Sequence, residues 1–117
     1  MIAFDIFLNG EKVCRAGVGS DYGLLTAILS WTKRDLGRLP AEVRSELPAE
    51  DLKMVINGQR NRGENVVENL QWQGRELRPG DDIHIRIVDV DHADAPENVK
   101  KIRPKYVKKK PSDILLH

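Results

Sequence analysis

Leu70–Val90, LQWQGRELRPGDDIHIRIVDV, is the stretch whose reading decides the fold: strand, tight connection, strand. Ile83, Ile85 and Ile87 alternate with His84, Arg86 and Val88, the period of a half-buried strand built from β-branched residues. Pro79-Gly80 supplies the turn, since proline presets φ at its first central position and glycine accepts a positive φ at its second. Leu77 is the apolar anchor expected to pin that turn to a core, and Leu70 and Trp72 share one face of the preceding strand.

Upstream, Ile2, Phe4 and Ile6 alternate with Ala3, Asp5 and Phe7. After Asn9-Gly10, Cys14, Ala16 and Val18 alternate with Val13, Arg15 and Gly17, which predicts a hairpin. A two-residue Asn-Gly loop would set even positions opposite odd ones. A three-residue loop with Gly10 in a left-handed bulge pairs even with even, so the bulged loop is expected, with Ile2, Phe4, Ile6, Cys14, Ala16 and Val18 on one buried face.

Ser20 or Asp21 then caps an expected helix over residues 22–36. Leu24, Leu25, Ile28, Leu29, Thr32 and Leu36 fall at three- and four-residue spacing, Ala27 and Trp31 widen the stripe, and Gly37 stops it. Pro40 either opens a short helix, Ala41–Leu47, or bounds a surface loop. A third strand, Leu52–Asn57, turns either Met54 and Ile56 inward, the preferred reading, or Val55 alone. A polar loop, Gln59–Asn65, carries Arg60 and Arg62, and a fourth strand covers Val66–Trp72.

The order ββαβββ, with an opening Met-Ile-Ala-Phe-Asp-Ile-Phe-Leu-Asn-Gly, a Val55-Ile56-Asn57-Gly58 phrase and a closing Leu77-Arg78-Pro79-Gly80-Asp81-Asp82-Ile83, resembles the β-grasp of ubiquitin-like proteins and small sulfur carriers. The resemblance implies an α+β domain over residues 1–90, a mainly antiparallel five-stranded sheet packed on one helix. Sulfur carriers and modifiers of this type end in Gly-Gly directly after the last strand. Here no Gly-Gly pair occurs and the chain closes Leu115-Leu116-His117, so neither conjugation nor sulfur transfer is expected.

Composition sets bounds on function. At 117 residues the chain suits one domain with a modest core, and 5% aromatic residues make that core aliphatic. Apolar runs of a few residues fall far short of the roughly 20 that cross a bilayer, and the start lacks the basic and apolar regions of a secretory signal. A single cysteine excludes an internal disulfide and fits the cytoplasm.

The net charge of +1 conceals a split. Residues 1–97 carry 12 Lys and Arg against 17 Asp and Glu, whereas residues 98–117 carry seven bases against Asp113 alone. Residues 91–117 are therefore expected as an extended basic tail. Lys100, Lys101, Arg103, Lys105, Lys108, Lys109 and Lys110 could neutralise nucleic-acid phosphates or the negative surface of a protein or membrane. The tail could instead fold back on the acidic domain or simply keep the chain solvated, the reading favoured for the tail itself.

No constellation points to catalysis, a cofactor or a metal. Gly17-Val-Gly-Ser-Asp-Tyr-Gly23 misses the dinucleotide spacing by one residue and places Asp21 where an anion would sit. Cys14 alternates into the buried face without a neighbouring base. Asp89, Asp91, His92 and Asp94 crowd one strand end without calcium-loop spacing or a second histidine. The expected function is a small non-catalytic module that binds a protein partner through a free sheet edge or the sheet face bearing His84 and Arg86. The alternative is a nucleic-acid-associated protein acting through the tail. Oligomeric state is left open.

Overall fold

Extended strands make up most of the described chain, residues 1–63 and 65–102 of a computed structural model, and burial alternates with period two over Val13–Ala16, Lys53–Gly58 and Val67–Gln73. The strands are β1 (Ile2–Leu8), β2 (Glu11–Gly17), β3 (Gly23–Lys33), β4 (Glu50–Asn61), β5 (Val67–Glu76), β6 (Ile83–Asp89) and β7 (Asn98–Ile102). They form two antiparallel sheets, ordered β2-β1-β6 and β3-β4-β5-β7. The only α-helix among the described residues is α1 (Ala41–Arg44), which follows Pro40 in the β3–β4 connection beside a 3-10 turn at Leu36–Arg38.

This corrects the expected α+β class. The five-stranded β-grasp sheet packed on a helix does not form, because residues 22–36 are not helical. Gly23–Lys33 is an 11-residue strand paired with β4 from Gly23 opposite Arg60 to Lys33 opposite Glu50. The apolar positions satisfy both periods: Leu25, Ala27, Leu29 and Trp31 also alternate with Thr26, Ile28, Ser30 and Thr32. Thr26, Ile28 and Thr32 are β-branched, and such side chains suit a pleated surface better than a helix. The ladder to β4 then satisfies the backbone of both strands, whereas a helix here would leave one side of β4 bare. With the helix goes the expected cap at Ser20 or Asp21, and with it any helix start at which the Gly17–Gly23 stretch would hold a phosphate.

The first hairpin also closes differently. Asn9 and Gly10 both have positive φ (52° and 83°), the backbone of a two-residue turn matched to strand twist, and Leu8 stands opposite Glu11. The register is restored further on, by a bulge at Val13 between the pairs Phe7–Lys12 and Ile6–Cys14. Even positions therefore meet even positions by another route, and Ile6, Cys14, Ala16 and Val18 are buried, while Ile2 is 57% exposed.

The core lies between the sheets. Ile6, Cys14 and Ala16 face Met54, Ile56, Leu70 and Trp72, with Phe4, Val13, Leu25, Ala27, Leu77 and Ile83 packed around them. Ile85 and Ile87 stand opposite Ile6 and Phe4, on the core side of their sheet, but Ile87 is 70% exposed where β6 runs out along an edge. Residues Gln59–Asn61, expected in a loop, extend β4. There Arg60 (2.9 Å) and Arg62 (2.7 Å) both donate from Nε to the buried Glu68 carboxylate and hold it below its ordinary range.

Residues 90–97 strap one sheet to the other. Val90 N–H donates to Met1 C=O, and Ala93 packs over Gly17. At the β2 edge Asp94 exchanges bonds with Arg15: its N–H donates to Arg15 C=O (2.9 Å), and its carboxylate accepts from Arg15 N–H (2.8 Å). Trp72 Nε1 donates to Asp94 C=O at 2.7 Å, and Glu97 N–H to Gln71 C=O at 2.8 Å. The chain then enters β7, so the stretch read as the start of a basic tail supplies a strand of the larger sheet, paired with β5 from Gln71–Asn98 to Val67–Ile102.

Candidate functional site

The strand registers place polar side chains in rows across the outer face of the four-stranded sheet. Leu24, Gln59, Asn69 and Lys100 stand opposite one another in turn, and beside them run Thr26, Asn57, Gln71 and Asn98. These two rows, with Ile28 and Val99, line an open groove of about 650 Å³. Five side-chain amides thus share one surface. Gln59 Nε2 donates to Asn69 Oδ1 at 2.8 Å, fixing the direction of that pair, and Thr26 Oγ1 donates to Asn57 C=O. Each amide both donates and accepts, a pattern matched by peptide groups and other neutral polar ligands. Lys100 is the only titratable side chain in the two rows.

The groove is bounded by β3, which pairs only with β4 among the described residues. Arg34 N–H donates to Ala49 C=O at 2.8 Å, continuing the ladder one pair beyond Lys33–Glu50. In antiparallel pairing such hydrogen-bonded pairs alternate with open ones, so even-numbered residues of β3 face β4. The carbonyl of Leu24 aimed at Gly58 agrees. The backbone N–H and C=O groups of Leu25, Ala27, Leu29 and Trp31 therefore point to the open edge. Side chains along it are apolar and exposed: Leu24, Ile28, Leu29 and Trp31 are 54, 49, 66 and 61% accessible. Trp31 is oriented by a 3.0 Å bond from Nε1 to Glu50. Natural edges are usually blunted by charge, proline or a cover. This one carries no charge or proline between Gly23 and Thr32 and no cover among the described residues.

No protein-family model, curated protein or solved structure matches the chain. The site is therefore read from its own geometry.

The residues singled out by sequence do not form one surface. His84 and Arg86 lie on the outer face of the three-stranded sheet, where His84 meets the Phe7 ring edge-on (5.8 Å between centroids) and the Arg86 guanidinium sits 5.6 Å from it. Beside them Asp5 accepts two bonds from Arg15 (2.7 and 3.1 Å), with Lys12 at 3.3 Å. Arg15 lowers the Asp5 carboxyl to about 2 against the opposing effect of burial. Lys100 and Lys101 are on β7 in the other sheet, Lys100 on the groove side and Lys101 opposite Glu68. Arg103, Lys105, Lys108, Lys109 and Lys110 lie outside the described residues.

Residues considered for chemistry are engaged otherwise. Burial pushes the Cys14 thiol up to about 11, which keeps it protonated at neutral pH. Asp89 accepts from the N-terminal ammonium and Asp94 from the Arg15 backbone. Among the described residues no three His, Cys, Asp or Glu side chains converge as metal ligands, and no helix is long and apolar enough to cross a membrane. Sequence reasoning missed the amide rows and the β3 edge because both depend on pairing. The one available signal was the alternation of Leu24, Thr26 and Ile28 with Leu25, Ala27 and Leu29.

Proposed function

We propose that the chain is a non-catalytic module that binds another polypeptide by strand addition to β3. The observation that carries this reading is the 11-residue strand with one side unpaired among the described residues and an apolar, uncharged run along it. In strand addition the main-chain bonds supply affinity, and side chains falling alternately on the two faces supply specificity. Here one of those faces is the amide groove, whose donors and acceptors suit peptide and polar side-chain groups. Among the described residues the groove places no Asp, Glu or His beside Thr26 or Lys100 to act as a base and gathers no metal-ligand cluster, which favours binding over catalysis.

The test is affinity capture with the immobilised full-length chain at low and high salt. We expect a polypeptide to be retained at high salt, lost with Ile28→Lys, and kept when Arg103, Lys105, Lys108, Lys109 and Lys110 are all replaced by Gln. Nucleic acid captured by both wild type and Ile28→Lys, and released by salt or by the five-Gln variant, would instead establish the basic-tail reading.

A further inference from the structure

We infer that the polypeptide received by β3 is the β3 strand of a second copy, so that two four-stranded sheets join into one of eight strands. The inference rests on the strand-addition reading and names its partner. A two-fold axis perpendicular to the sheet pairs residue i with residue S − i and keeps each face on its own side, so S is even. One even register overlaps Gly23–Lys33 along its whole length: Gly23 opposite Lys33, with Ile28 opposite its own symmetry mate.

That register fits the open edge in three respects. Leu25, Ala27, Leu29 and Trp31, whose backbone groups point outward, meet Trp31, Leu29, Ala27 and Leu25 of the second copy, so every outward donor finds an acceptor. On the same face Leu25 contacts Trp31 and Ala27 contacts Leu29, while Ile28 meets Ile28 on the groove side, covering Ile28, Leu29 and Trp31, which are otherwise about half exposed or more. At each end the exposed Asp21, two residues before the strand, is the diagonal neighbour of the exposed Lys33, so unlike charges meet twice. A net charge of +1 per chain leaves little repulsion between copies. The two amide grooves then lie on one continuous face.

Sedimentation or light scattering of the full chain is expected to give twice the 13.3 kDa of one copy. In this register the Ile28 pair is a non-hydrogen-bonded one, with Cα atoms close enough for a disulfide. Ile28→Cys is therefore expected to cross-link under mild oxidation, and Thr26→Cys, four residues out of register with its own mate, is not. Cys14, the only native thiol, is 5% exposed and stays silent. Leu29→Pro removes an outward N–H from an exposed position without touching the β4 ladder, and should return the single-chain mass with unchanged circular dichroism. A dimer that survives Leu29→Pro, or cross-links as readily through Thr26→Cys as through Ile28→Cys, would overturn the inference. A single-chain mass for wild type, with a different polypeptide captured and then lost in Ile28→Lys, would overturn self-pairing and leave the strand-addition reading in place.

Discussion

Trp72→Ala is expected to lower the unfolding free energy by about 3–5 kcal/mol, the cost of truncating a fully buried large aromatic side chain. Trp72 is 2% exposed and central to the core, and its ring abuts Gly58, where an added Cβ would lie 3.1 Å from Cζ3. Its Nε1 also holds Asp94 C=O at 2.7 Å, joining the larger sheet to the strap that leads into β7. The two contributions separate in Trp72→Phe, which keeps most of the ring and loses the bond. Asp94 is exposed enough for water to replace the donor, so that variant should lose about 1 kcal/mol. Urea unfolding measures both. Faster amide exchange in Asn98–Ile102 than elsewhere in Trp72→Phe would show that the indole bond secures β7, and with it the Asn98 and Lys100 end of the groove.

Asp5→Asn is expected to cost about 2 kcal/mol at neutral pH. Removing one partner of a fully buried ion pair costs about 3–5 kcal/mol, but Arg15 and Lys12 keep side-chain exposures of 21 and 43% and regain water when the carboxylate is lost. The same substitution should reshape the acid limb of stability. In the folded chain the Asp5 carboxyl is held at about 2, below its ordinary 3.8, chiefly by the Arg15 hydrogen bonds. Above 3.8 both folded and unfolded chains carry the charge, and the stabilisation is complete. As pH falls from there towards 2 the unfolded chain takes up the proton first, so stability declines. Glu68 and Asp81 are shifted in the same direction and remain in the variant. The prediction is therefore a difference: between pH 4 and 2, wild type loses more stability than Asp5→Asn. Parallel acid limbs for the two chains would show that the ion pair contributes nothing.

How much of this was legible in the sequence depends on the distance over which each feature is decided. Met54 with Ile56, and Leu70 with Trp72, were readable as inward pairs, because alternation is a property of a single strand. The inward face of the first hairpin was also readable, although its mechanism was not. Both a three-residue loop and a two-residue loop followed by a bulge give the same parity, and only the second occurs. The candidate site was barely legible. Asn57, Gln59, Asn69, Gln71 and Asn98 are scattered among unremarkable polar positions until two separate registers, β4–β5 and β5–β7, bring them into two rows.

By itself the sequence determined that the stretches of β1, β2 and β6 and much of β4 and β5 are strands, and which side of the first hairpin, β4 and β5 stays dry; that Gly23–Lys33 and Asn98–Ile102 are strands too it did not show. Side-chain direction in a strand reverses with every residue, so the order of apolar and polar residues encodes the face locally. Tertiary structure decided what Gly23–Lys33 becomes, because its apolar positions fit a helix and a strand alike and the tie is broken by β4, which offers hydrogen bonds along all 11 residues. It also decided that β6 lies beside β1 and β7 beside β5. Pairing between segments so far apart in the chain is enforced by closure of the common core and leaves no local pattern to read. The open edge of β3 follows from that closure.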